Sequence, residues 1–271
     1  MQTPSVSANR DDEMCNPVID FYDGLSPEYR DNMGWDWDAA VRKEGAALNR
    51  FIAKLLGPKD TYSLLDCSCG IGTQAIGLAL QGYQVHATDL SPGSIECASE
   101  EAARLGVSMT FGVADFRELG DTISDTFDVV LSCDNSIAHC LKEEDLNAAL
   151  VSMKTRLKPG GLLLLSMRDY DALIADKPRF NNEHVHDKPD GRRIVFQLWD
   201  WAVDGRCYKM NQFLIREIDG RYDFKHFHTE LRALQRDEIL AAVRNAGFEE
   251  VNWHLPEGSA YYQPIVTGRN P

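Results

Sequence analysis

The residues with the most chemical content lie in one stretch, Leu64-Leu65-Asp66-Cys67-Ser68-Cys69-Gly70-Ile71-Gly72-Thr73. A buried strand over Ser63 to Leu65 runs there into a tight turn, and a helix follows over residues 73–81. Gly70 and Gly72 carry no Cβ, so a bulky ligand can approach the backbone of that turn closely. Twenty-three residues after Asp66, Asp89 closes a second strand-like run, Tyr83-Gln84-Val85-His86-Ala87-Thr88. A carboxylate at that place can accept hydrogen bonds from both hydroxyls of a ribose. Together they read as a nucleoside-binding turn with its ribose acid.

The turn is not the dinucleotide fingerprint. That pattern wants a third glycine three residues after the second, and Ala75 stands there. The chain also lacks the Tyr-x-x-x-Lys pair of many hydride-transfer sites, which disfavours a nicotinamide-dependent oxidoreductase. An acid four residues before the first glycine, here Asp66, is instead typical of methyltransferases that use S-adenosylmethionine (SAM). Later strand ends add polar residues where open α/β sheets bind ligands. Ala114-Asp115-Phe116 places an acceptor for an adenine amino group beside a ring that can pack on the base; a capping Asp followed by a core Phe is the alternative. Ser132-Cys133-Asp134-Asn135-Ser136-Ile137-Ala138-His139 and Met167-Arg168-Asp169-Tyr170-Asp171 end the next two strands.

The elements that must position these residues follow from periodicity. Residues 1–16 are polar and read as a disordered leader, and 17–58 as an N-terminal helical cap broken at Gly34-Trp35-Asp36-Trp37. In the second cap helix Val41, Leu48, Phe51, Ile52 and Leu55 recur at helical spacing, and Gly57-Pro58 stops it. From residue 59 to the end runs the main domain, α/β and doubly wound, with a mostly parallel sheet. Its strands are expected at 63–65, 84–88, 108–112, 127–132 and 161–167, and its helices at 73–81, 92–105, near 115–119 and at 143–157. Lys158-Pro159-Gly160-Gly161 reads as a turn. Antiparallel strands at 193–203, 207–218 and 222–234, separated by Asp204-Gly205 and Asp219-Gly220, form an insert over about 180–234. A helix over 236–246 and strands at 249–254 and 261–267 complete the domain.

Composition sets the bounds. In 271 residues, 44% hydrophobic content with 26% charged residues is ordinary for a globular chain. A net charge of −14 argues against a general nucleic-acid or membrane-surface binder, since phosphates attract basic faces. No apolar run approaches the length of a membrane span, and the acidic N-terminus does not read as a signal peptide. Seven scattered cysteines suit a reducing cytoplasm better than a disulfide framework. His184, His186, His226 and His228 form two His-x-His pairs, each on one face of a strand; without a neighbouring Cys or spaced carboxylate no metal site is expected.

Three stretches give the chain a resemblance to the glycine/sarcosine N-methyltransferase family of class I SAM-dependent methyltransferases. They are Leu65-Asp66-Cys67-Ser68-Cys69-Gly70-Ile71-Gly72, Asn135-Ser136-Ile137-Ala138-His139, and Pro159-Gly160-Gly161 leading to Arg168-Asp169-Tyr170-Asp171. The similarity covers about residues 18–267. It implies that Ser68, Gly70, Asp89, Asp115, Phe116, Cys133 and His139 line a SAM site, with Asp66, Gly72 and Leu90 beside them. It further implies that Tyr22 and Arg42 close over the amino-acid end of SAM. Asn135 and Arg168 match positions that hold the amine side and the carboxylate of the acceptor, with Asp134 and Tyr170 next to them.

Chemistry agrees with that implication. An arginine is a planar bidentate clamp for a carboxylate, although Arg168 could equally pair with Asp169 or Asp171. Methyl transfer from a sulfonium is an in-line displacement, so alignment and desolvation carry most of it, leaving S-adenosylhomocysteine. Two positions depart from the family: Phe116 stands where a Trp is usual, and Asp134 where a Gly is typical. A carboxylate there would attract a cationic amine or act as a base, which puts a simple glycine acceptor in doubt. The expectation is a cytoplasmic SAM-dependent methyltransferase acting on a small molecule, an amine or amino acid, and possible as a homo-oligomer. Alternatives are an O-methyltransferase, with His226 or His228 as general base, and a SAM-binding protein without catalysis.

Overall fold

The computed structural model describes residues 16–57 and 59–271. The leader expected over 1–16 therefore lies, Asn16 apart, outside the described residues. Asn16 caps helix α1 (Pro17–Asn32) by accepting from the Val18 amide at 3.0 Å, and Asp36 caps α2 (Trp37–Leu56) through the Ala39 amide. The Gly34 break separates the two helices as expected. The helical spacing in α2 buries Val41, Leu48, Phe51 and Ile52. The same helix carries Gly45, which meets Gly77 in α3 (Thr73–Ala79) so closely that a Cβ on Gly45 would lie 2.4 Å from the Gly77 carbonyl. This close approach, open only to glycine, fixes the cap against the main domain.

The main sheet has seven strands: β1 (Ser63–Asp66), β2 (Gln84–Asp89), β3 (Thr110–Val113), β4 (Phe127–Ser132), β5 (Leu157–Ser166) and, closing the chain, β10 (Glu249–His254) and β11 (Ile265–Arg269). Their order is β10-β11-β5-β4-β1-β2-β3, with β1 to β5 parallel and β11 antiparallel to β5. Helices α4 (Pro92–Arg104), α5 (Glu143–Thr155) and α7 (Arg236–Asn245) join α3 in covering it. Both faces are buried, so the strands read as continuous apolar runs. Leu65, Val130, Leu163 and Leu165 point into one core, and Leu64, Val129, Leu162 and Leu164 into the other. This is the doubly wound α/β architecture expected from the sequence.

The insert is a separate antiparallel sheet of β6 (Phe180–Lys188), β7 (Gly191–Trp201), β8 (Cys207–Ile218) and β9 (Arg221–Arg232). The alternation located the last three within two residues but missed β6 as a strand. Helix α6 (Tyr170–Asp176) and the single turn α8 (Pro256–Ser259) were also missed, being too short to show a period. Two readings need correcting. The helix expected near 115–119 is a turn leading to a short 3-10 stretch, Leu119–Asp121, because Asp115 bonds the Arg117 amide instead of opening a helix. Lys158-Pro159-Gly160-Gly161 is a bulge inside β5, where Gly160 and Gly161 bond Asn270. Among the described residues no helix is long and apolar enough to cross a membrane.

Candidate active site

The nucleoside turn forms where β1 meets α3. Gly70 has φ +53 and Gly72 φ +92, and nothing lies within 4 Å of a Cβ built on Gly70. Gly70 is thus required by its left-handed backbone, and its open side faces a cavity of about 200 Å³. The Gly70 amide donates to Asp89 Oδ2 at 2.8 Å, and the Ser91 amide to Oδ1 at 2.9 Å. Each carboxylate oxygen keeps lone-pair capacity, and Asp89 lines the cavity. Burial raises its carboxyl above the usual range. Ser68, Gly70, Leu90, Asp115, Phe116, Cys133, His139 and Tyr22 line the same space. A cradle with room above Gly70 and a carboxylate at the end of β2 fits a nucleoside with a free ribose edge.

Asp66 and Gly72 stand behind that wall and do not line it. Asp66 is buried, with Oδ1 accepting from the Ser68 amide and Oδ2 unpartnered among the described residues, and burial pushes its carboxyl from 3.8 up to about 8. A folded-state value above the unfolded one means stability is lost as pH rises between them and no further above. Asp66→Asn is expected to flatten the fall in thermal stability between about pH 4 and 8, each unit being worth at most about 1.4 kcal/mol. Melting curves of wild type and variant across that range check this; parallel profiles would mean that Asp66 ionises normally. Glu44, pushed to about 7 by burial, contributes in the same direction to both proteins and drops out of the comparison.

A second cavity of about 480 Å³ adjoins the first. Tyr22, Tyr29, Thr73, Gln74, Asp134 and His139 line both, so these residues mark the junction. Cap helices supply one wall and the inner face of the insert sheet the other, through Val195, Gln197, Met210, Gln212 and Leu231. At the junction the consecutive residues Asp134 (φ 54) and Asn135 (φ 71) are both left-handed, backbone strain typical of functional sites. The Asp134 carboxylate accepts from the hydroxyls of Tyr262 at 2.6 Å and Tyr29 at 3.5 Å and from Gln263 Nε2 at 3.2 Å. Burial, reinforced by Asp134, raises both phenols, so they stay donors. His139 bonds the Tyr22 hydroxyl at 3.0 Å; burial lowers its imidazole to about 4 and keeps it neutral.

Arg168 and Asn135 are held by a closed ring of hydrogen bonds. Arg168 Nη1 donates to the Tyr208 hydroxyl at 3.0 Å, which must then donate to the Tyr170 hydroxyl, also 3.0 Å. Tyr170 donates to Asn135 Oδ1 at 3.0 Å, and the Arg168 backbone amide reaches the same oxygen at 3.2 Å. The Trp199 ring lies beneath the guanidinium at 5.0 Å. No carboxylate among the described residues pairs with Arg168, so the salt bridge to Asp169 or Asp171 does not form; Asp169 lies near Arg236, and Asp171 bonds Gln235 and the Arg236 amide.

Some expected site residues are displaced. Arg42 is exposed on α2 and lines neither cavity. Helix periodicity explains this: Glu44, on the inward side, takes the wall position and bonds Gln74 at 2.8 Å. Tyr170 is buried behind Asn135 and touches no cavity, which makes it a positioning residue. Asn135 is expected on the amine side of the acceptor, yet its Oδ1 is already taken twice, leaving the unpartnered Nδ2 as a donor. His226 and His228 lie on the outer face of the insert and cannot be bases for the cavity, whereas His184 lines it. Asp115 lines the first cavity but is already paired with Arg117 at 2.6 Å. Glu44, Tyr29, Tyr208 and Tyr262 were missed, since nothing in a local motif marks residues brought in from the cap, the insert and the chain end.

Comparison with known proteins fits this geometry. Residues 64–161 match the family model of a methyltransferase domain. The glycine/sarcosine N-methyltransferase of Parasynechococcus marenigrum (strain WH8102) is 34% identical over 139 residues, which span 51% of this chain and 48% of that protein. The enzyme of the same description from Aphanothece halophytica is 27% identical over 233 residues, 84% of this chain and 82% of its own. Among solved structures, the CcbJ methyltransferase of Streptomyces caelestis superposes with a TM-score of 0.73 at 19% identity, covering 92% of this chain and 97% of that one. The sugar N-methyltransferase KedS8 from Streptoalloteichus gives 0.71 at 18%, covering 99% and 98%. Fold, nucleoside turn and domain match together make the chain a SAM-dependent methyltransferase of class I architecture. Within that class it resembles the glycine/sarcosine N-methyltransferases, small-molecule enzymes by their description.

Proposed function

We propose that the enzyme methylates a nitrogen of a small acceptor bearing a carboxylate, an amine or amino acid larger than glycine. The observation that carries this reading is Arg168: a guanidinium held by the Tyr208 hydroxyl, paired with no carboxylate among the described residues, and lining the larger cavity. A cation so placed favours an anionic ligand group, and the free Asn135 Nδ2 adds a second donor for it. The volume and the amide-lined insert wall suit an acceptor with more bulk than glycine.

SAM bound over the Gly70 turn supplies an electrophilic methyl group. Asp89 would hold the ribose hydroxyls and the Tyr22–His139 pair would close the junction. Arg168 and Asn135 would hold the carboxylate, and Asp134 would draw the amine to the junction and take its proton through a carboxylate that reaches solvent. Nitrogen is preferred over oxygen because, among the described residues, no imidazole of ordinary basicity lines the junction: burial lowers His139 to about 4, and His226 and His228 face away from the cavity. Incubation with labelled SAM and a panel of amino acids, amines and hydroxy acids tests the reading. N-methylated amino acids are expected; labelling of hydroxy acids alone would overturn it. Asp134→Asn, which tolerates the left-handed backbone, is expected to raise acceptor KM roughly tenfold or more with SAM affinity unchanged. Steady-state kinetics with unaltered KM would remove Asp134 from the acceptor site.

A further inference from the structure

The outer face of the insert sheet carries a ladder of rings. Phe180 stacks on Phe196 at 5.2 Å, Phe196 on Phe213 at 5.0 Å, and Phe213 on His226 at 4.6 Å. The neighbouring row is Val185, Ile194, Ile215 and Phe224, each opposite the next in register. Val185 and Phe224 are each 66% exposed and Phe180 53%, so this band is covered by no part of the described chain. A contiguous apolar band of this kind on a sheet marks an interaction site. Charged rows bound it: Asp187, Arg192 and Glu217 at one end, Asp200, Lys209 and Glu230 at the other.

We propose that this face binds a second copy of the chain, two insert sheets stacking about a twofold axis parallel to the strands between β7 and β8. The pattern is self-complementary under that operation. Turning the sheet over exchanges β7 with β8 and β6 with β9, which sets Ile194 on Ile215, Phe196 on Phe213 and Val185 on Phe224. The same operation sets Arg192 on Glu217 at one end and Asp200 on Lys209 at the other. An isologous interface repeats each of these contacts twice. Both ion pairs match in sign; a twofold running across the strands would instead set Arg192 on Asp200 and Glu217 on Lys209, so charge reversal at 192 and 217 separates the two arrangements.

The area is adequate as well. Four strands of about twelve residues present a face of roughly 19 Å by 38 Å, about 700 Å². A stable interface uses about 800 Å² per partner. Aligned sheet packing at about 10 Å would let the rings interdigitate. Glu230, the third charge of its row, lies outside the paired positions and faces solvent at the rim.

Sedimentation equilibrium of the full chain across micromolar concentrations tests the proposal. A dimer is expected for wild type. Phe213→Asp is expected to weaken it at least about thirtyfold, as for a central interface residue. Phe224→Glu, on the exposed outer strand, should do the same with an unchanged circular dichroism spectrum, which guards against misfolding of the first variant. Arg192→Glu should weaken the dimer, and the double variant Arg192→Glu, Glu217→Arg should restore it. A monomeric wild type overturns the proposal, as does a dimer indifferent to Phe224→Glu or a charge reversal that is not rescued.

Discussion

Asp89→Ala is expected to weaken SAM and S-adenosylhomocysteine binding by about a hundredfold, equal to losing roughly two hydrogen bonds to a charged acceptor. Both Asp89 oxygens already accept backbone amides, from Gly70 and Ser91, so the carboxylate is preset for the ligand. Removing it also frees the Gly70 amide and loosens the turn itself. Asp89→Asn separates these effects: one oxygen remains to hold an amide while the charge is gone, and a loss of about tenfold is expected. Titration calorimetry reads both variants. Binding that survives Asp89→Ala would mean the turn does not hold the ribose, whatever the acceptor proves to be.

Arg168→Ala is expected to lower kcat/KM for a carboxylate-bearing acceptor by roughly a hundredfold to a thousandfold while sparing SAM affinity. The split matters because Arg168 lies in the second cavity and touches no part of the cofactor wall. Arg168→Lys keeps the charge but loses the fork, and should recover little. Tyr208→Phe removes two bonds of the ring, those to Arg168 and Tyr170, without touching acceptor; a fall in kcat/KM of several-fold marks it as a positioning residue. Methyl-transfer kinetics decide these cases. An Arg168→Ala enzyme with normal acceptor kinetics would end the carboxylate assignment and leave the cofactor assignment intact.

The sequence made the cofactor side legible because its parts are local. A glycine turn, the acid that precedes it and the acid that ends the next strand lie within one βαβ unit, and their spacing is their geometry. The acceptor side is built from the cap, two strand ends, the insert and the chain end, so only its motif-bearing residues could be seen. Arg168 and Asp134 were visible; Tyr208 and Tyr262, which set the other ends of their hydrogen bonds, were not. Arg42 shows the converse failure. Its distance along the chain matched an expected arginine, but helix phase turned it to solvent and gave the wall to Glu44. The hairpin glycines located the insert, although β6 escaped because its alternation is interrupted by a bulge between Asn181 and His184.

The insert sheet divides its labour by parity. Along β7, residues 193, 195, 197 and 199 face inward, with Val195 and Gln197 lining the cavity, and residues 192, 194, 196 and 198 face away. Neighbours in sequence therefore answer to different demands, and acceptor preference can drift at one set while the outward set is left untouched. Point substitutions preserve that independence. A one-residue insertion or deletion does not, because it swaps the two sets over the whole strand and delivers Phe196 to the cavity in place of Gln197. Within this segment, variation should accumulate through replacement and never through a change of length.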